Sequence, residues 1–395
     1  MRPLLVRLHR WFGLTAAVFL FVSGLTGSII AWNHEIDAWL NPGFFTAPTT
    51  GPLLSAAELA ARLEKAEPRL RVRYLPLAVE PGKALLVYVE ARPDPQTGIP
   101  HPLAYSQVAL DPVSGAVLGR RDWGKFSLAR ENLLPFLYKL HYSLHLPTVA
   151  GRETGTLFMG GLAIAWVIDC FVALWISFPS LRSWRQSFAF RWKAGGYRFK
   201  FDLHRSGGVW LFPLLLVLAA SSVAMNLRDP VARPFVSLFS KLSPSPFEVA
   251  ARQRTQPPGP AMLGYAAIEV RARQEAERRG WRRPPGGIFA ASQAGLYGVG
   301  FFAPGEEGSL GTPWLYFDAN DGRLLASEIP GQGTRGDLVL QAMYPLHSGR
   351  ILGIPGRILV SVCGLAVAGL SLTGLVIWAR KRRARQSKAL KARLV

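Results

Sequence analysis

Cysteine is almost missing from this sequence of 395 residues: it has two, Cys170 and Cys363, each inside a long apolar run. Two distant thiols form neither a disulfide framework nor a thiolate metal site, and in such a run a free Cys behaves as a small apolar residue. Glycine is plentiful, but no Gly-x-Gly-x-x-Gly joins a strand to a helix. Gly286-Gly287 lies between prolines and a strand, and Gly298 and Gly300 fall within one. A nucleotide-binding turn is therefore not expected. Acidic residues are also scarce, 25 against 46 Lys and Arg, and the long apolar runs hold one, Asp169. A cation transporter would want more carboxylates there, so that class is disfavoured.

What the sequence has instead is length of apolar chain. Apolar residues make up 49%, and four runs, residues 11–32, 155–178, 207–227 and 355–378, pass the length of about 20 residues needed to cross a bilayer. The first follows Arg2, Arg7 and Arg10 as a signal peptide would. It is too long and lacks an Ala-x-Ala cleavage site after it, so a retained anchor is expected. Trp11 and Trp32 bracket this run, and Gly13, Gly24 and Gly27 would let another helix approach closely.

The net charge of +21 would suggest nucleic acid if it covered a soluble surface. It does not: residues 1–10, 180–205 and 380–395 together hold 18 Lys and Arg against a single acid, Asp202. Those segments alternate with pairs of spans and so share one side. The positive-inside rule makes that side, with both termini, cytoplasmic, and no nucleic acid is expected as a partner.

Between the spans the pattern becomes that of small soluble domains. In residues 33–152, Ser55 with Glu58 three positions on marks a helix start, followed by strands near 72–77, 85–90, 108–110 and 116–118. Residues 228–353 repeat the order with a helix near 265–279 and strands near 288–291, 297–302, 315–317 and 323–325. Turns run from Asp111 to Gly115 and from Asp318 to Gly322, and Pro-rich connectors fall at 244–260 and Pro284-Pro285. Half-polar runs, 133–146 and 338–351, lead back to the membrane.

Short repeats tie the halves together. Leu8-His9-Arg10 returns 195 residues later as Leu203-His204-Arg205, and Tyr138-Lys139-Leu140-His141 as Tyr344-Pro345-Leu346-His347. Each half reads as His, helix, soluble domain, His, helix, which predicts an internally duplicated membrane α-helical protein: a four-helix transmembrane bundle with two α+β domains outside the cytoplasm. The expected segments are 1–32 (N-terminus and first span), 33–152 (first domain), 153–179 (second span), 180–204 (basic loop), 205–227 (third span), 228–353 (second domain), 354–379 (fourth span) and 380–395 (basic tail).

Histidines at membrane surfaces are costly and usually serve pathways, relays or cofactors. His9 and His204 fall on the cytoplasmic side, His141, His145 and His347 on the other, so a bundle can gather imidazoles at both ends. Haem iron accepts axial imidazole from such facing residues, and the lack of Cys-x-x-Cys-His makes attachment non-covalent, as in haem b. Zinc is the alternative, but a structural zinc site needs four close ligands. Against both stands the plain reading in which a His beside Arg snorkels to water. His34 has no match in the second half, and Tyr138 and Tyr344 are equally candidates for interface anchors.

Five motifs in order, Leu8-His9-Arg10-Trp11-Phe12-Gly13, Leu140 to Leu146, Asp202 to Trp210, Pro345-Leu346-His347-Ser348-Gly349 and Leu372 to Trp378, make the whole chain resemble the PepSY-associated transmembrane proteins of bacterial inner membranes. The resemblance implies two periplasmic PepSY-like domains on the bundle, two haems b and, in some members, ferric-siderophore reduction in iron uptake. Carried over to this sequence, His9 and His204 would ligate the cytoplasmic haem iron, and His347 with His145 or His141 the periplasmic one. The expected function is electron transfer from an external cytoplasmic or membrane donor to a periplasmic ferric chelate. The competing expectation is a non-enzymatic anchor whose soluble domains bind a partner protein or peptide.

Overall fold

Apolar runs of this length become long helices, the third with Pro213 inside it. In the structure, a computed structural model that describes residues 1–253, 262–303 and 310–393, four helices are long and apolar enough to cross a membrane. They are Arg2–Ile30, Thr154–Ser177, Gly196–Asn226 and Gly353–Arg393. At 1.5 Å per residue even the shortest reaches about 36 Å, enough for the hydrocarbon layer. The first, third and fourth outrun the apolar stretches that signal them, because Arg and Lys are good helix formers and nothing stops the helix at the polarity boundary, whereas the second matches its stretch to within one residue. His9 and His204 consequently lie inside their helices, two to three turns from the start, and not ahead of them as the sequence pattern suggests.

These helices, with residues 31–33, 137–153, 178–195, 227–238 and 342–352, form one compact unit. The first packs on the fourth, the second on the third, and the third also on the fourth. Small residues make the first contact possible: a Cβ on Gly24 would stand 2.5 Å from the Gly364 carbonyl oxygen, and one on Gly364 2.5 Å from that of Gly24. Both cysteines are buried in the shared core, beside Leu215 and Val367.

Residues 34–136 and 239–341 form the other unit. The sequence divides them into two domains; the structure joins them in one eight-stranded antiparallel sheet. Its spatial order is Leu324–Glu328, Trp314–Asp318, Leu296–Phe301, Pro285–Ala291, Leu70–Pro76, Leu85–Ala91, Gln107–Leu110 and Val117–Arg121. At the seam Tyr74, Leu75 and Pro76 pair with Phe289, Ile288 and Gly287. Two separate four-stranded sheets would each leave this strand as an apolar edge with unpaired N–H and C=O groups, and pairing removes both edges at once. Leu77, at the end of the seam, packs against the core clusters of both halves.

Each half is covered by the helix its pattern announces. Ser55 accepts a hydrogen bond from the Glu58 N–H and caps Ala56–Ala66, whose Leu59 and Leu63 pack with Val72 and Val87. Tyr265–Arg278 sets Ile268 and Ala272 against Ile288 and Val299. Residues 246–253, read from the sequence as connector, form a short helix instead, with Pro246 in its first turn, where proline is tolerated. The rest of that Pro-rich connector, from 254 on, lies outside the described residues. Within this unit a buried ion pair, Asp37 to Arg121 at 2.7 Å, pins the helix Asn33–Leu40 to the last strand of the first half.

Candidate functional site

Four of the seven histidines meet in two pairs inside the helical unit. His9 of the first spanning helix faces His204 of the third, with ring centres 6.1 Å apart. His141 of the helix Leu133–Ser143 faces His347 of the helix Arg335–Ser348, with ring centres 6.2 Å apart. The planes of the two rings are tilted by 51° in the first pair and 57° in the second.

Hydrogen bonding fixes which nitrogen each ring offers. The Nδ1 atom of His141 lies 3.0 Å from the Ser23 carbonyl oxygen and 3.1 Å from Thr26 Oγ1. A carbonyl only accepts, and the Thr26 hydroxyl already donates to the Val22 carbonyl at 2.7 Å, so Nδ1 must carry the proton. The same logic holds elsewhere. His204 Nδ1 lies 3.0 Å from the Leu370 carbonyl oxygen and 3.2 Å from Thr373 Oγ1, whose hydroxyl donates to Gly369. His347 Nδ1 lies 2.9 Å from Ser221 Oγ, whose hydroxyl donates to Val217. His9 Nδ1 lies 2.9 Å and 3.0 Å from the two oxygens of Asp169, which as a carboxylate also only accepts. All four rings are thus Nδ1–H tautomers with the Nε2 lone pair left for a ligand, the arrangement in which outer groups orient metal-bound histidines. Burial pushes the His141 and His347 imidazoles down to about 4, with each other's proximity adding to it at His347, so both are neutral at physiological pH.

The spacing fits two imidazoles on one metal. An imidazole nitrogen binds a transition metal at about 2 Å and lies about 1 Å from its ring centre, so two rings on opposite sides of one ion stand about 6 Å apart. Between and beside His141 and His347 lies a cavity of about 440 Å³, walled by Tyr138, Tyr142, Trp166 and Tyr344, within the range of ligand and cofactor pockets. Glycine keeps room for the ring: a Cβ on Gly27 would lie 2.9 Å from His141 Cε1. Among the described residues no group of three or more His, Cys, Asp or Glu converges as a structural zinc site requires. Two facing imidazoles per site, each with its Nδ1 engaged by an outer partner, are a donor set of the kind that would hold a haem iron.

Of the residues singled out in the sequence, His9, His204, His141 and His347 come together, and His145 does not. The ring that meets His347 is that of His141. His145 lies beyond the helix end, in the turn that follows it, with its backbone in the left-handed region at φ 54°. His34 belongs to the other unit, edge-on to Phe45. The outer partners Ser23, Thr26, Ser221 and Thr373 were not legible as site residues. One signal could have found two of them: the 195-residue step from His9 to His204 also carries Thr26 to Ser221.

No curated protein matches the chain. A match to the family described as the PepSY-associated TM region runs over residues 6–381, taking in both histidine pairs, and the chain belongs to that family.

Proposed function

We propose that this is a two-haem electron-transfer protein of the bacterial inner membrane, with a periplasmic ferric chelate as acceptor, most specifically a ferric siderophore. The observation that carries the reading is the set of four Nδ1–H imidazoles in two facing pairs, 6.1 Å and 6.2 Å between ring centres. Bound haem b would supply one-electron Fe(III)/Fe(II) chemistry. The chain's own part is to hold it: His9 and His204 at one end, His141 and His347 at the other. Thr26, Ser221, Thr373 and Asp169 keep the ligating nitrogens deprotonated and aimed, and the apolar helices exclude water and lower the local dielectric. The acceptor's iron, once reduced, binds hard oxygen ligands less tightly and leaves its chelator. The basic segments 1–10, 180–205 and 380–395 support a cytoplasmic position for both termini, which puts the His141–His347 end and the eight-stranded unit on the periplasmic side. The electron donor is a reductant at the cytoplasmic face or in the membrane.

The test is haem content. Full-length protein purified in detergent is expected to carry two haems per chain with reduced absorption bands in the visible. His204→Ala and His347→Ala are each expected to lose one, and a different one, while His145→Ala keeps both. A colourless wild type, or loss of haem on replacing His145 with His347 indifferent, sinks the assignment and leaves a membrane anchor carrying a partner-binding unit.

A further inference from the structure

The four imidazoles share an Nδ1 proton held by an outer partner, and the chemistry of that partner sets one of them apart. Three of them give their Nδ1 proton to neutral acceptors, a backbone carbonyl or a hydroxyl. His9 alone gives it to a carboxylate, and Asp169 brings both oxygens within 3.0 Å. If orientation were all that mattered, a neutral hydroxyl would do here as it does for His204 and His347. The sequence instead places at this point the one acid of its four apolar runs, where a charge is costly, whereas Asp202, ahead of the apolar run in the third spanning helix, is paired with Arg191. The pair is sheltered, with the Asp169 side chain 12% and the His9 side chain 26% exposed. Among the described residues His9 is the one ion-pair partner of Asp169. Little solvent or counter-charge stands between this carboxylate and the ring it holds.

From this asymmetry the geometry points to Asp169 as a positioning residue that sets the electron affinity of the His9–His204 site below that of the His141–His347 site. The inference rests on the proposed haem function. A carboxylate on Nδ1–H draws the proton towards itself, makes the imidazole a stronger electron donor through Nε2, and places negative charge near the metal. Each effect favours the more positive, oxidised iron, and a low dielectric enlarges it. The neutral acceptors at the other three rings do neither. With haem bound at both ends, an electron would move downhill from the His9–His204 end to the His141–His347 end, its direction set by the Asp169 side chain.

Spectroelectrochemical titration of full-length, haem-loaded wild type, Asp169→Asn and Asp169→Glu tests this. His347→Ala in the same backgrounds isolates the His9–His204 haem. Wild type is expected to show two midpoint potentials. Asp169→Asn, which keeps a hydrogen-bond acceptor and removes the charge, is expected to raise the lower one by a tenfold or greater change in the Fe(II)/Fe(III) ratio. That is at least 59 mV for a one-electron couple. The upper potential should stay, and Asp169→Glu should hold the low value. Both potentials unmoved in Asp169→Asn, or moved together, overturns the inference. So does a Glu variant with both haems whose low potential has risen as in Asn, since the charge would then not be the cause. A wild type that binds no haem is a different failure: it removes the haem assignment itself and this inference with it.

Discussion

A histidine beside arginine at a membrane helix end says little alone, and what turns four of them into a site is the fate of one proton on each. The hydroxyls of Thr26, Ser221 and Thr373 are committed to their own helix carbonyls, which forces the imidazoles to donate and frees the opposite nitrogen. Space at this scale is set by absent atoms. A methyl on Gly27 would come 2.9 Å from His141 Cε1, closer than carbon atoms tolerate, so the ring or the first helix must shift. Under the proposed function, Gly27→Ala is expected to weaken haem binding at the His141–His347 end by tenfold or more while sparing the other end. Haem content and the spectrum of the haem that remains report it. Unchanged binding of both would mean that the His141 ring is not fixed where it stands. The choice between His141 and His145 belongs to this scale too. Both precede the second span, and only the helix end at Ser143 and the turn after it decide which ring faces His347.

Elements were the most legible level, because their signals are local. The apolar runs gave the four long helices, the Ser55 and Glu58 pattern gave a capped helix, and the Asp- and Gly-rich turns ended strands where expected. What a local pattern could not give was how elements are fastened. Arg121 ends the last strand of the first half, where it pairs with Asp37, donates to Gln107 and to the Glu131 carbonyl, and lies over the Phe44 ring. Asp37 is 6% exposed and Arg121 6%, so either charge left alone would be stranded away from water. Arg121→Ala is expected to cost the eight-stranded unit about 3–5 kcal/mol, the usual loss when one partner of a buried pair is removed. Tryptophan-detected urea unfolding of the full chain measures it. A loss below about 1 kcal/mol, as for a surface pair, would show that water reaches Asp37.

At the scale of the whole molecule, two units are made by interleaving. The chain passes from the helical unit into the sheet unit and back, twice, and each unit takes segments from both halves of the sequence. Neither half could close its part alone. The first half's seam strand needs Pro285–Ala291 from the second, and His9 and His141 face His204 and His347. The charge distribution adds a direction to this plan. A reporter active only outside the cytoplasm is expected to be active when fused within residues 94–99 and silent when fused within 180–195 or after 393. The opposite pattern would invert the membrane orientation and exchange the roles assigned to the two histidine pairs.

The sequence by itself determined that the chain crosses a membrane, where it crosses, which side is basic, and which histidines repeat. These follow from hydrophobic length, charge and spacing, which act between near neighbours or through the membrane and need no knowledge of partners. It also carried the family resemblance. Only the tertiary structure decided that the two stretches between the spans share one sheet, that His141 and not His145 meets His347, and that, among the described residues, Asp169 alone in the spanning helices sets a carboxylate against a paired imidazole. Those outcomes depend on edges, tautomers and contacts between residues more than a hundred positions apart, and such distances have no local signature.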